Sequence, residues 1–95
     1  MKIYQSRSFE QKVKKLSPQQ KNDLDDNIKT IAGNPNIGQK KKGDLRGVFV
    51  YKFKLQNQPY LLAYRFPDPE TLELIMIGPH ENYYRNLKNN LRNKA

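Results

Sequence analysis

The chain has no cysteine. Disulfides and thiolate metal sites are excluded, and nothing asks for an oxidising compartment. Histidine occurs once, at His80, which leaves no plausible zinc site. No apolar run approaches the length of a membrane span. The opening Met1–Arg7 lacks the apolar segment of a signal peptide. The expectation is a cytoplasmic protein with no membrane contact. Glycine-rich phosphate loops, serines in a nucleophile-elbow setting, repeats and low-complexity tracts are also missing. Most enzyme classes lose their usual signature.

Acidic residues are scarce: 9 Asp and Glu stand against 18 Lys and Arg, a formal charge of +9. Charge alone leaves two readings, a solubilising surface or a polyanionic or acidic partner. The 95 residues make one domain over 1–95. At this size roughly two-thirds of the unfolded chain's surface can be buried.

What is present is a clear pattern. Leu45 to Lys54 alternates with period two and reads as a strand. Phe49, Tyr51, Phe53 and Leu55 share one face; Val48, Val50, Lys52 and Lys54 share the other. Lysines are not buried without partners, so a covered aromatic face and an open basic face are expected. Lys2–Gln5 reads as a short first strand. Ser8 reads as a cap for a helix with Phe9, Val13 and Leu16 on one side. Ser17, Pro18 and Gln20 form a capping-box start for a second helix, which Gly33 and Asn34-Pro35 end. Asn34–Asp44 reads as a loop, with Lys40-Lys41-Lys42 as a solvated run. Gln56–Pro59 is a hairpin turn, Tyr60–Phe66 a strand, Pro67–Glu70 a turn, and Leu72–Ile77 an interior strand. His80–Asn93 reads as a last helix bearing Tyr84, Leu87 and Leu91. The fold class is α+β: a small antiparallel sheet, a leading helical hairpin on its aromatic face, and a C-terminal helix.

Lys52, Lys54 and Arg65 fall on one predicted face, and Arg46 stands at its entrance. His80 leaves the last strand, with Tyr84 expected one helical turn on. Cleaving an RNA phosphodiester takes a base for the 2′-hydroxyl, a proton for the leaving 5′-oxygen, and cations for the charge on phosphorus. Imidazole as a class exchanges protons near neutrality. Lysine and arginine supply charge, and no metal or cofactor is required. Equally, a lone histidine at a strand end can be structural, and paired lysines can simply protect a strand edge.

Leu45-Arg46-Gly47, Tyr51-Lys52-Phe53-Lys54-Leu55, Tyr60-Leu61-Leu62-Ala63-Tyr64-Arg65 and Ile77-Gly78-Pro79-His80-Glu81-Asn82-Tyr83-Tyr84-Arg85 resemble, in order and spacing, the RelE/ParE superfamily of bacterial type II toxins. The resemblance implies a small antiparallel sheet with a helical hairpin. Its RelE-like members imply an endoribonuclease that cuts mRNA on the ribosome and is neutralised by a cognate antitoxin. By the same resemblance Arg46 lines the groove, and Lys52 and Lys54 grip RNA and stabilise charge. His80 takes the place of a catalytic arginine or histidine, and Tyr84 that of the C-terminal aromatic. Arg65 and Arg85 add phosphate contacts. The family's arginine early in the second hairpin strand is Leu61 here, which leaves Arg65 as the candidate to replace it. Glu81 competes with His80 as the base. Two rivals stand beside the nuclease: a ParE-like inhibitor of DNA gyrase, and a non-catalytic RNA- or ribosome-binding module.

Overall fold

The computed structural model describes residues 1–92. Strand β1 (Lys2–Gln5) leads into helices α1 (Arg7–Lys14) and α2 (Pro18–Gly33). A two-residue strand β2 (Gln39–Lys40) follows, then β3 (Phe49–Leu55), β4 (Gln58–Asp68), β5 (Thr71–Pro79) and helix α3 (Tyr83–Arg92). The strands make one sheet in the order β1-β5-β4-β3-β2. The meander β3-β4-β5 is antiparallel, as expected. β1 joins β5 in parallel, so the sheet is mixed.

The helix signals act locally. Ser17 caps α2, and Gln20 completes the reciprocal box with Pro18 in the first turn. For α1 the cap is Ser6, not Ser8. Ser6 has a second tie that fixes it there: its hydroxyl donates to the Ile75 carbonyl, while its N–H reaches Leu74. Gln56 and Asn57, with φ of 49° and 69°, make the tight β3–β4 turn whose twist suits paired strands.

The segment Asn34–Asp44 is more ordered than a loop. It holds β2, which pairs with Phe49 and Val50, and short 3₁₀ turns at Pro35–Ile37 and Gly43–Leu45. Tyr64 anchors it. Its buried hydroxyl donates to the Pro35 carbonyl at 2.6 Å and accepts from the Gly38 N–H at 2.9 Å. A Cβ at Gly38 would stand 2.6 Å from that oxygen, so only glycine permits the approach.

The aromatic face behaves as the alternation requires. Phe53, Leu55, Leu62, Tyr64, Leu72, Leu74 and Ile77 pack against Phe9, Leu24 and Ile31 of the hairpin. The opposite face is not open along its length, which corrects the expectation. α3 lies on it, burying Tyr83 and Leu87 against Val48, Val50, Leu61, Ala63, Ile75 and Met76. The reason is visible in the side chains. Before Lys52 that face carries only apolar residues on β3, and an apolar patch this size is covered in stable domains. A β-bulge extends the patch. The register slips between Ala63 and Tyr64, so Ile75 and Met76 both face α3 while Ile77 returns to the hairpin side. Alternation alone would have put Met76 with Leu72 and Leu74.

Candidate functional site

Each strand of the meander hands the α3 face its odd or even residues in rows. Lys52 pairs with Leu61, which pairs with Gly78. Lys54 pairs with Pro59, and the β4–β5 register continued by one residue brings Pro59 to His80. His80 therefore stands two strands from Lys54, about 10 Å between backbones. Lys52, Lys54 and His80 are all exposed. None of them has an ion pair among the described residues. Lys52 and Lys54 keep the face that the pattern gave them, and His80 follows directly on the end of β5.

Arg65 is on that face but not at that place. The β3–β4 register continued by one pair sets it opposite Val48. Lys52 is four residues along β3 and Lys54 six, so they lie about 13 and 20 Å away. α3 packs over Val50 and Ala63 in between. Arg46 is exposed at the same far end, closing the 3₁₀ turn before Gly47. Gly47 has φ +87°, a conformation that suits the sharp entry into β3. The basic face is thus two basic ends with a helix between them.

The link from His80 to Tyr84 differs from expectation. His80, Glu81 and Asn82 form a turn rather than the first turn of a helix. The Tyr83 N–H reaches the His80 carbonyl at 3.2 Å, and Asn82 takes φ +57° before α3 begins. That left-handed residue breaks the i, i+4 stacking of His80 and Tyr84. Tyr84 is half-buried beside α3's apolar stripe, edge-on to Tyr83 at 5.7 Å. Lys41 holds its ammonium 4.7 Å from the Tyr84 ring centre. The sequence pattern gives Lys41 no role, since the triple-lysine run reads as solvated. Only the fold brings it to an aromatic ring.

Glu81 lines a different place. It borders a groove of about 310 Å³ on the outer edge of β5, with Lys12 of α1 and Asn86 and Asn90 of α3. The lysine edge is on the other side of that strand. Arg85 is exposed on α3. No set of three or more metal-ligating carboxylates, histidines or cysteines is grouped among the described residues.

Tyr83 fastens this end of the site. Its buried hydroxyl donates to the Met76 carbonyl at 2.7 Å, and its ring lies over Gly78. Burial holds its phenol well above the ordinary range, and burial raises Tyr64 as well. An unfolded phenol ionises near pH 10, so this stabilisation is complete below about pH 10 and is lost as pH rises beyond it. Unfolding free energies taken at about pH 8 and pH 11 should diverge less for Tyr83→Phe than for the native chain. Parallel pH curves for the two would show that Tyr83 titrates as a solvated phenol.

No helix among the described residues is long and apolar enough to cross a membrane. The family model for the ParE-like toxin of type II bacterial toxin-antitoxin system matches residues 3–88. No curated protein matches the chain. Among solved structures it is similar to an E. coli RelE double arginine mutant in the free state, with TM-score 0.73, 13% identity, and coverage of 98% of this chain and 95% of that one. It is similar to the intact E. coli RelBE toxin-antitoxin complex at TM-score 0.66 and 18% identity, covering 84% of this chain and 96% of that one. The isolated E. coli RelE toxin gives TM-score 0.64 and 18% identity, covering 93% and 96%. At these identities the likeness to the solved structures is one of fold.

Proposed function

This chain belongs to the ParE-like toxins of type II bacterial toxin–antitoxin systems, and we propose that within that family it works as an mRNA endonuclease on the translating ribosome. The observation that carries the reading is that Lys52, Lys54 and His80 are exposed together at one end of the sheet, with His80 in the row of Lys54. Two fixed cations beside a proton-exchanging group suit phosphodiester cleavage. In the proposed step a base takes the proton of a ribose 2′-hydroxyl. The O2′–P bond forms, the P–O5′ bond breaks, and the leaving 5′-oxygen takes a proton. The products are a 2′,3′-cyclic phosphate and a free 5′-hydroxyl. His80 is the proton-transfer residue. Lys52 and Lys54 stabilise the charge on phosphorus, and Tyr84 lines the approach from α3. Arg46, Arg65 and Arg85 extend phosphate contact beyond the reacting group.

The ParE-like family name keeps a second reading in play, a ParE-like DNA gyrase inhibitor without nuclease activity. Two assays separate them. Purified protein added to a translation extract should produce new mRNA 5′ ends and should leave gyrase supercoiling untouched. Inhibited supercoiling with intact mRNA would replace the first reading by the second.

Binding makes its own prediction. Each Lys→Ala change at 52 or 54 should reduce the salt slope of RNA or ribosome binding by about 0.7. Melting should be unchanged, because both side chains are exposed. Equal slopes in native and variant chains would leave these lysines a solubilising role. The excess positive charge also calls for a partner of opposite sign. A cognate antitoxin with an acidic segment covering the lysine edge would neutralise it, in keeping with the similarity to the toxin of the RelBE complex.

A further inference from the structure

At the end of the sheet remote from Lys52 and Lys54, where the hairpin-side face ends in Phe49 and Phe66, a recess of about 520 Å³ opens. That volume is within the range of small-ligand clefts. Two aromatic rings line it. Phe49 and Phe66 are half-buried, with centroids 4.8 Å apart and planes tilted by 43°. Two cations, Lys40 and Arg65, share the lining, and neither has an ion pair among the described residues. Glu73 is Arg65's partner across the β4–β5 ladder, but no ion pair joins them. Among the described residues no carboxylate lines the recess itself. Gly47 borders it with no atom within 4 Å of where a Cβ would stand, so the wall there is open.

Aromatic surface beside unpaired cations suits a base joined to its phosphate. Unstacked bases bind on aromatic rings, and lysine and arginine hold the backbone. A purely apolar ligand would leave the cations unused, and a bare phosphate would leave the rings unused. We propose that this recess is a second nucleotide subsite for single-stranded RNA, with Phe49 and Phe66 stacking a base and Arg65 and Lys40 holding its phosphate. The proposal rests on the RNA reading of the lysine edge. It also accounts for Arg65 without asking it to replace the arginine absent at Leu61. At about 13 to 20 Å from the lysines, with α3 between, Arg65 serves a different nucleotide of the strand.

The test uses the whole chain and a 2′-O-methylated hexaribonucleotide, which lacks the attacking hydroxyl and cannot be cut. Binding is titrated by fluorescence anisotropy over a range of salt. Phe66→Leu keeps apolar bulk but removes the ring. It should weaken binding by about fivefold to a hundredfold with the salt slope unchanged. Arg65→Gln should weaken binding and lower the slope by about 0.7. Amide NMR shifts of the native chain on adding adenosine 5′-monophosphate should centre on Gly47 and Phe66. These shifts need no variant to fold. If Lys52→Ala weakens the hexamer while Phe66→Leu and Arg65→Gln bind like the native chain, the subsite is overturned and the RNA reading stands. Nucleotide shifts confined to Lys52, Lys54 and His80 would overturn the subsite in the same way. If the hexamer fails to bind the native chain, or binds every variant equally, both ideas fall together. Binding of an acidic peptide that is lost in Arg65→Gln but retained in Phe66→Leu, with no nucleotide shifts, would make the recess a protein contact and overturn the proposal.

Discussion

His80→Gln should cut mRNA roughly 10²–10⁴-fold more slowly than the native chain, at an unchanged melting temperature. Glutamine keeps much of the size and some hydrogen bonding but cannot exchange a proton near neutral pH. His80 is exposed just past the end of β5, so its side chain supports no core that the substitution could empty. Ribosome binding should change little, because the cations at Lys52 and Lys54 supply the salt-dependent attraction. Glu81→Gln belongs in the same experiment. Glu81 lines the groove on the outer edge of β5, away from the lysine row, and its loss should leave the rate near native. A native rate in His80→Gln with a collapsed rate in Glu81→Gln would move the proton transfer by one residue. Native rates in both would leave an electrostatic site built on lysines and Tyr84.

Leu87→Ala should destabilise the protein by about 2–5 kcal/mol. The side chain is wholly buried among Val48, Val50, Leu61, Ala63, Ile75, Met76 and Tyr83. Truncation removes apolar contact and leaves a cavity that packed strands cannot close. For a domain of this length each kcal/mol shifts melting by roughly 4–8 °C, so the loss is plain in a thermal scan. The same substitution at Leu24 should cost a similar amount, since that residue is buried in the hairpin-side core. The paired result tests whether the sheet has two cores. A loss below about 1 kcal/mol at Leu87, beside a large one at Leu24, would mean that α3 rests only loosely on the sheet.

Local chemistry was legible in the amino-acid order. The alternation of Phe49 to Leu55 and of Tyr60 to Phe66 sorted side chains onto two faces, because successive strand residues point to opposite sides. The box of Ser17 and Gln20 marked the start of α2, because its bonds span only three residues. The turn at Gln56-Asn57 and the stop at Gly33 followed from residues whose backbone preferences act on the spot. The lone histidine and the face that Lys52, Lys54 and Arg65 share were read in the same way.

Tertiary structure decided what depends on distant partners. Period two says which residues share a face but not how far apart they stand along it. Register put His80 in the row of Lys54 and put Arg65 at the other end of the sheet. The bulge at Ile75-Met76 answers to the cores on both faces, and no short window of sequence announces it. The parallel pairing of β1 joins residues some seventy positions apart. α3 found its place because Val48, Val50, Leu61 and Ala63 formed an apolar patch only after β3 and β4 paired. That packing turned one basic face into two basic ends, since a helix must bury its apolar stripe where the sheet leaves apolar surface bare.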